Sequence, residues 1–167
     1  MNGNEIRKAC LLDPFISRYF AGVLAIDEMP FPLRPSSLYI LNLSPRSHEG
    51  SHWTLCSSLQ SPKYIEYFDS FGVGPPISIL PNLLTQGKCV YYSNAVLQNA
   101  LTQTCGNFVV LTARMLAQGI SLSDMLLKYY DLNNQIPFKN DVISEEVSSQ
   151  LTHLRKRPIL APEFNGI

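Results

Sequence analysis

The chain has 167 residues, of which 46% are apolar, and its 13 Lys and Arg balance 13 Asp and Glu. This length and apolar content suit one domain with a substantial core, and we expect a single domain over residues 1–167. The balanced charge argues against a nucleic-acid groove or a basic membrane-binding face. No window reaches the ~18 apolar residues of a membrane span, and the polar amino terminus is unlike a secretory signal. We therefore expect a soluble intracellular protein.

The first half of the chain is predicted to form one helix and three strands. Asp13 followed by Pro14 is typical of a helix start, and apolar residues then recur at helical spacing up to Gly22. Three prolines within residues 27–36 indicate an irregular loop. Strands are predicted over residues 37–43, 52–58 and 63–69, the last two forming a hairpin whose turn is 59–62.

The second half is predicted to be mainly helical. Glycines and prolines at 72–76 break the chain before a short segment, and a strand is predicted at 88–92. A helix is predicted from Cys105 to Gln118, with Gly119 placed to end it. Mixed helices and antiparallel strands indicate an α+β domain. Further helices are predicted at about 123–130 and 140–155, before an irregular tail at 158–167.

The cysteines are widely spaced and form no C-x-x-C pair, which argues against a disulfide scaffold and a zinc knuckle. They are Cys10, Cys56, Cys89 and Cys105, and we expect free thiols. Cys105 lies where a polar loop meets an apolar helix, so the first backbone N–H groups of that helix should point at its thiol. A helix N-terminus and a nearby cation can lower a thiol pKa from ~8.5 into the range ~3.5–7.5. This position therefore predicts a nucleophile, which needs a base, an orienting acid and an oxyanion donor.

The predicted hairpin supplies a base and an acid. If its turn is centred between Gln60 and Ser61, His52 lies opposite Asp69 and Cys56 lies opposite Ile65. Opposed residues have Cβ atoms ~4.5–5.5 Å apart, close enough for a carboxylate to accept from an imidazole N–H. A bulge would shift this register by one residue. The carboxylate would fix the imidazole tautomer and leave the other ring nitrogen for a thiol. The alternative is a surface His–Asp pair and an ordinary buried thiol.

Residues 48–52 also match H-E-x-x-H, in which two histidines on one helical face bind zinc. Gly50 and Ser51 lie between the histidines, Pro45 lies upstream, and strand-forming residues follow directly. Because this composition argues against a helix, we predict no metal site.

These residues together resemble a clan of cysteine proteases. The pattern is His52-Trp53, then Tyr-Phe-Asp-Ser-Phe-Gly at 67–72, then Gln98 ahead of Thr-Cys-Gly at 104–106. It resembles the clan that contains the adenovirus-type maturation protease and the Ulp/SENP proteases of ubiquitin-like proteins, over roughly residues 37–118. The resemblance implies a papain-like, adenain-like α+β fold, with a central mixed sheet and the nucleophile helix packed against it.

The resemblance also implies a role for each site residue. Cys105 would be the nucleophile, His52 the general base and later the acid, and Asp69 the orienting carboxylate. The side-chain amide of Gln98 and the backbone N–H of Cys105 would stabilise the oxyanion; removing one such donor typically costs ~10²–10³ in turnover. A narrow channel would admit only glycine before the scissile bond. Its residues would be Trp53, for which a plain core role is equally consistent, and Gly106.

Within the clan, the spacing favours the viral branch. Gln98 and Cys105 are seven positions apart, which is similar to the adenovirus type; the Ulp-type pattern is one shorter and has Asp where this chain has Thr104. By contrast, Asp69-Ser70 is Ulp-like. We favour a maturation protease of an adenovirus-like or related DNA virus that cleaves precursor capsid and core proteins in the host nucleus or virion. The alternatives are a Ulp-like protease acting on a ubiquitin-like modifier and a non-catalytic binding module.

No cofactor is required for this chemistry. The resemblance implies activation by a short viral peptide that forms a disulfide with a strand cysteine, and by DNA. Cys89 lies in a similar place, although a core-facing strand cysteine is an equal alternative. The balanced charge, with no basic cluster before residues 155–157, argues against DNA. We expect a monomer.

Overall fold

The computed structural model of the protein describes residues 1–84 and 88–129. The helix predicted at 140–155 and the tail at 158–167 lie outside these ranges. Within them, no helix is long and apolar enough to cross a membrane. The elements in chain order are helix α1 (Gly3–Leu12), strands β1 (Phe20–Ala25), β2 (Leu38–Asn42), β3 (Trp53–Ser57) and β4 (Tyr64–Phe68), helix α2 (Leu80–Leu84), strand β5 (Cys89–Tyr92), and helices α3 (Cys105–Ala117) and α4 (Leu122–Tyr129).

The strands form one mixed sheet in the order β1-β2-β3-β4-β5. The two outer pairs, β1 with β2 and β4 with β5, are parallel, whereas β2–β3 and β3–β4 are antiparallel. All five residues of β2 are buried, as expected for a strand with protein on both faces of its sheet. The predicted α+β class and central mixed sheet are confirmed.

An apolar layer lies on each face of the sheet. On one face, α3 packs against β3 and α1 packs against β1 and α3, through a cluster that includes Ile6, Leu55 and Phe108. On the other face, side chains of α2 and of the loop after β1 cover Tyr39 and Tyr67. The nucleophile helix predicted from the sequence, α3, is therefore packed on the sheet.

The helix predicted from Asp13 to Gly22 is wrong. α1 ends before Asp13, Ile16–Arg18 forms a single 3-10 turn, and β1 begins at Phe20. The Asp13 carboxylate does accept the backbone N–H of Phe15 at 2.9 Å. Asp13 therefore binds the backbone at the start of this short 3-10 turn rather than at the start of an α-helix. The chain then pairs with β2, because tertiary pairing readily overrides local helix propensity.

The sequence prediction misses α1, although the sequence marks its start. The Asn2 side chain accepts the backbone N–H of Glu5 at 3.0 Å, and the Glu5 carboxylate accepts the backbone N–H of Asn2 at 2.9 Å. This is a reciprocal capping box. The buried residues Ile6, Ala9 and Cys10 share one face. The Asn-x-x-Glu spacing is the signal that identifies this helix.

The remaining predicted elements form close to their expected bounds. The irregular loop at 27–36 is present, beginning within a 3-10 turn at Ile26–Glu28. Strands β2 and β5, the β3–β4 hairpin and helices α3 and α4 match their predictions to within one or two residues. Gly119 follows α3 with a φ of +83°, the left-handed conformation that commonly ends helices.

The hairpin register differs from the prediction by two residues. Cys56 lies opposite Tyr67 rather than Ile65, and Ser57 lies opposite Glu66, which centres the turn between Ser61 and Pro62. The Ser61 hydroxyl accepts the backbone N–H of Lys63 at 3.0 Å, a local turn that lies later than assumed. Because side chains alternate with a period of two, a shift of two leaves each one on its predicted face.

Candidate active site

Two of the predicted site residues lie at the same end of the sheet. His52 immediately precedes β3 and Asp69 immediately follows β4. Since these strands are antiparallel, the start of one lies beside the end of the other. Cys105 is the first residue of α3, which packs against β3. The fold therefore brings together three residues that are far apart in sequence.

Two contacts fix the His52 imidazole: a hydrogen bond at the edge of its ring and an aromatic ring stacked on its face. Its Nε2 lies 2.8 Å from Oδ1 of Asp69, and the two side chains are 14% and 2% exposed. The same Oδ1 accepts the backbone N–H of Phe71 at 2.7 Å. The Phe71 ring stacks on the imidazole with a centroid distance of 4.8 Å. With Nε2 bound to Asp69, Nδ1 is the nitrogen left for a thiol.

This contact differs from the predicted one in geometry. In the observed register the residue opposite Asp69 would be Thr54, and His52 reaches the carboxylate diagonally from two residues earlier. Diagonal neighbours on one face are ~7–8 Å apart at the backbone, within reach of long side chains. The predicted His–Asp hydrogen bond forms in the observed register as well, because both residues lie on the same face of the sheet.

The pKa of His52 is raised. Burial lowers it, but the hydrogen bonds and charges of Asp69 and Cys105 outweigh burial and raise it from 6.5 to about 9. The imidazole is therefore protonated at neutral pH while the pair is intact.

The pKa of Cys105 is lowered. Burial raises it, but the hydrogen bond with His52, the backbone N–H groups of Trp53 and Gly106, and the imidazolium charge together bring it below 9.0. The N-terminus of α3 favours the same anion. Opposite shifts on neighbouring groups are typical of a thiolate–imidazolium pair, whose titration belongs to both groups together.

Gln98 is buried in the segment between β5 and α3, with both ends of its amide engaged. Oε1 accepts the Ser70 hydroxyl at 2.7 Å, and Nε2 donates to the Thr102 carbonyl at 2.7 Å. The amide nitrogen carries two hydrogens, and Thr102 takes one of them. The role of Gln98 toward an oxyanion stays a prediction.

Trp53 and Gly106 both contact the amino-terminal residues. The indole Nε1 of Trp53 donates to the Met1 carbonyl at 3.0 Å. Gly106 is buried, and a Cβ there would lie 2.9 Å from Cβ of Met1 and 3.3 Å from Cδ1 of Ile6. Gly106 therefore permits a close approach of the amino-terminal segment, a contact that the sequence prediction does not include.

A cleft of about 690 Å³ opens beside Trp53. The start of α1, the end of β1 and the loop before β3 form its walls, and Gln103, two residues before Cys105, lies at its edge. Trp53 also packs against the apolar cluster on the α3 face. The indole thus packs in the core and also lines this cleft, and its role in a substrate channel stays a prediction.

The other thiols differ sharply in exposure. Cys89 is exposed on β5, an edge strand, so the core-facing alternative does not hold. Cys10 and Cys56 are buried, and burial raises the pKa of each to about 12. The H-E-x-x-H segment at 48–52 is an irregular loop. No cluster of three His, Cys, Asp or Glu that could hold a metal occurs in the described ranges.

Gly72 lies in the turn after Asp69 and packs against Asn94, in the segment that leads to Gln98. Its φ is +70°, and a Cβ would lie 2.7 Å from the carbonyl oxygen of Asn94. Left-handed strain and this clash should together make Gly72→Ala lower the free energy of unfolding by about 1–3 kcal/mol. Gly119→Ala is the matched control, with a φ of +83° and nothing within 4 Å. Urea titration measures both; equal losses would mean that the Asn94 contact contributes nothing.

No protein-family model and no curated protein sequence matches the chain. Solved structures do. The ASFV pS273R protease is similar with a TM-score of 0.55 at 18% identity, covering 92% of this chain and 66% of that one. The SUMO protease Ulp1 with its catalytic cysteine oxidized to a sulfinic acid gives a TM-score of 0.48 at 13% identity, covering 90% of this chain and 78% of that one.

The similarity to the ASFV protease extends over most of this chain, which spans about two thirds of the length of that structure. It confirms the predicted fold class. The chain therefore has an α+β fold similar to that of the ASFV pS273R protease, with a five-stranded mixed sheet and a helix packed on it.

Proposed function

We propose that the protein is a cysteine endopeptidase in which Cys105 is the nucleophile, His52 the general base and acid, and Asp69 the orienting carboxylate. One observation carries the proposal. The His52 imidazole is hydrogen-bonded to the buried Asp69 carboxylate, and its charge and hydrogen bond lower the pKa of the thiol that begins α3. A lowered thiol pKa beside a positioned imidazole is the arrangement that activates a cysteine nucleophile.

Each step follows from these positions. The thiolate attacks the carbonyl carbon of the scissile bond and forms a C–S bond, while the carbonyl oxygen takes the negative charge. The free amide hydrogen of Gln98 and the backbone N–H of Cys105 stabilise that oxyanion. Collapse breaks the C–N bond, and His52 gives its proton to the departing amine. A water molecule then hydrolyses the thioester, with His52 accepting the water proton.

The substrate is a protein with glycine immediately before the scissile bond. The cleft offers space for an extended segment and is lined by Trp53, the residue after His52, and by Gln103, two residues before Cys105. The seven-position spacing from Gln98 to Cys105 favours precursor capsid and core proteins of a DNA virus, processed by a monomeric enzyme in the host nucleus or virion. Asp69-Ser70 is the feature that favours the alternative, a ubiquitin-like modifier cut by a Ulp-like enzyme.

A peptide activator fits one feature of the sheet. Cys89 is exposed on edge strand β5, where an added strand could pair with the sheet edge. A peptide that carries a disulfide could exchange with the Cys89 thiolate, which forms the new S–S bond and releases the other thiol of the peptide disulfide. DNA activation lacks comparable support, since positive and negative charges balance over the chain.

A non-catalytic binding module on the same fold is the rival from another class, and thiol labelling separates the two. We expect iodoacetamide at mildly acidic pH to modify Cys105 first, although Cys89 is more exposed, because the lowered pKa of Cys105 keeps its thiol ionised further into the acidic range. The two buried thiols, Cys10 and Cys56, should react only after unfolding. Peptide mapping by mass spectrometry measures the order.

Two results would contradict the proposal. Labelling of Cys89 ahead of Cys105 at acidic pH would mean that the thiol is not activated. Absence of any cut in a library of Gly-containing peptides, with and without an activator peptide supplied as a mixed disulfide, would favour the binding module. Protection of Cys89 from labelling by such a peptide reports the disulfide separately.

A further inference from the structure

Ser70 connects the end of β4, which carries Asp69, to the segment before α3, which carries Gln98. It follows Asp69 directly, is fully buried, and its hydroxyl donates to Oε1 of Gln98 at 2.7 Å. Its backbone carbonyl accepts the N–H groups of Leu97 and Gln98, each at 2.9 Å. One residue at the end of β4 thus fixes both the main chain and the side chain of the proposed oxyanion donor.

The Thr102 carbonyl sets which way the Gln98 amide faces, and the Ser70 hydroxyl holds the opposite end. A carboxamide has an oxygen end that only accepts and a nitrogen end that only donates. The Thr102 carbonyl can only accept, so it requires the nitrogen end at 2.7 Å, and the Ser70 hydroxyl at the opposite end then donates to the oxygen. Without that hydroxyl, the buried oxygen would lose its donor, and the amide would be held at its nitrogen end alone, free to swing about that single contact.

We propose that Ser70 is a positioning residue for the oxyanion donor: its hydroxyl locks the Gln98 amide so that the second Nε2 hydrogen is kept for the oxyanion. This inference rests on the proposed function. Asp69 and Ser70 then have separate roles: the Asp69 carboxylate orients the base, and the Ser70 hydroxyl orients the oxyanion donor. The base and the donor are thereby set by consecutive residues of one strand end.

Two reactions of Cys105 distinguish the role of Ser70 from that of Asp69. Alkylation of Cys105 by iodoacetamide displaces iodide and forms no oxyanion, so it reports only the thiolate–imidazolium pair. Peptide cleavage needs both that pair and the oxyanion donor. An oxyanion contact exists only in the transition state, so its loss should lower kcat and leave KM unchanged.

For Ser70→Ala we expect kcat on a Gly-containing peptide to fall about 10- to 100-fold, somewhat less than the ~10²–10³-fold loss typical of deleting an oxyanion donor. KM and the pH profile of Cys105 alkylation should match the wild type. In a Gln98→Ala background the same change should have almost no further effect, because both substitutions remove one interaction. Ser58→Ala is the control: its buried hydroxyl donates to the Arg34 carbonyl at 2.8 Å at the far end of β3, so kcat should be retained.

An unaltered kcat in Ser70→Ala, losses that add in the double variant, or a parallel loss of alkylation rate would each overturn the inference. If Ser70→Ala melts early, Ser70→Cys takes its place: it keeps the size with a weaker donor, and an unchanged kcat there would overturn the inference equally. A wild-type protein that cuts no peptide would instead refute the proposed function.

Discussion

Cys105→Ala is expected to abolish peptide cleavage, with a loss of up to ~10⁶ in kcat, the scale observed when a protease loses its nucleophile. The fold should persist, because the thiol is only half-buried and the sheet and cluster beneath α3 do not depend on it. Cleavage of a Gly-containing peptide library, read by mass spectrometry, measures the loss. Circular dichroism and the melting temperature measure the fold.

The same variant has a second readout at His52. The Cys105 thiolate helps to raise the pKa of this imidazole to about 9, so removing it should bring the pKa down from that value, while the hydrogen bond to Asp69 continues to oppose the effect of burial. An NMR titration of the His52 ring follows this change. Cys105→Ser is the matched control, since the hydroxyl keeps the size but not the acidity of the thiol. Retained cleavage in Cys105→Ala would rule out Cys105 as the nucleophile.

The sequence predicts the parts of the fold where local signals agree with tertiary pairing. β2 and α3 carry continuous apolar character and clear ends, so their bounds are right to within a residue or two. The stretch at 13–22 carries a helix cap and helical apolar spacing, yet it leads into β1. That outcome depends on pairing with a strand some twenty residues later, which no local pattern contains.

In the candidate site, too, some contacts can be predicted from the sequence and others depend on the tertiary structure. The contact between His52 and Asp69 follows from strand parity, which tolerates a register error of two residues. The hydrogen bond from Ser70 to Gln98 spans 28 residues and depends on how the segment after β5 folds back on the end of β4. Neither residue type marks that contact, so only the three-dimensional arrangement reveals it.

Stability and activity should depend on pH in linked ways through this pair. His52 has a folded-state pKa raised above its unfolded value, so its contribution to stability is fully present below about pH 6.5 and is lost as the pH rises through about 9. The thiolate–imidazolium pair is populated between the lowered pKa of Cys105 and the raised pKa of His52. A plot of kcat/KM against pH should therefore rise through the first value and fall through the second.

Asp69→Ala is expected to lower kcat/KM at the pH optimum by about 10²–10⁴, because His52, the proton-transfer group, whose positioned contribution is of that size, loses the contact that orients it. The substitution removes both the charge that raises the pKa of His52 and the oxygen that orients the ring. The alkaline limb of the profile should therefore move below about 9. The acidic limb should rise, because a less protonated imidazole stabilises the thiolate less.

Asp69→Asn separates charge from orientation. The amide oxygen can still accept from Nε2 of His52 and from the backbone N–H of Phe71, both of which now bind Oδ1. We therefore expect Asp69→Asn to narrow the profile from both sides, as alanine does, while kcat/KM at the optimum falls much less than with alanine. Equal losses in the two variants would mean that the charge alone matters. An unchanged pH profile in Asp69→Asn would mean that the carboxylate acts only by holding the ring.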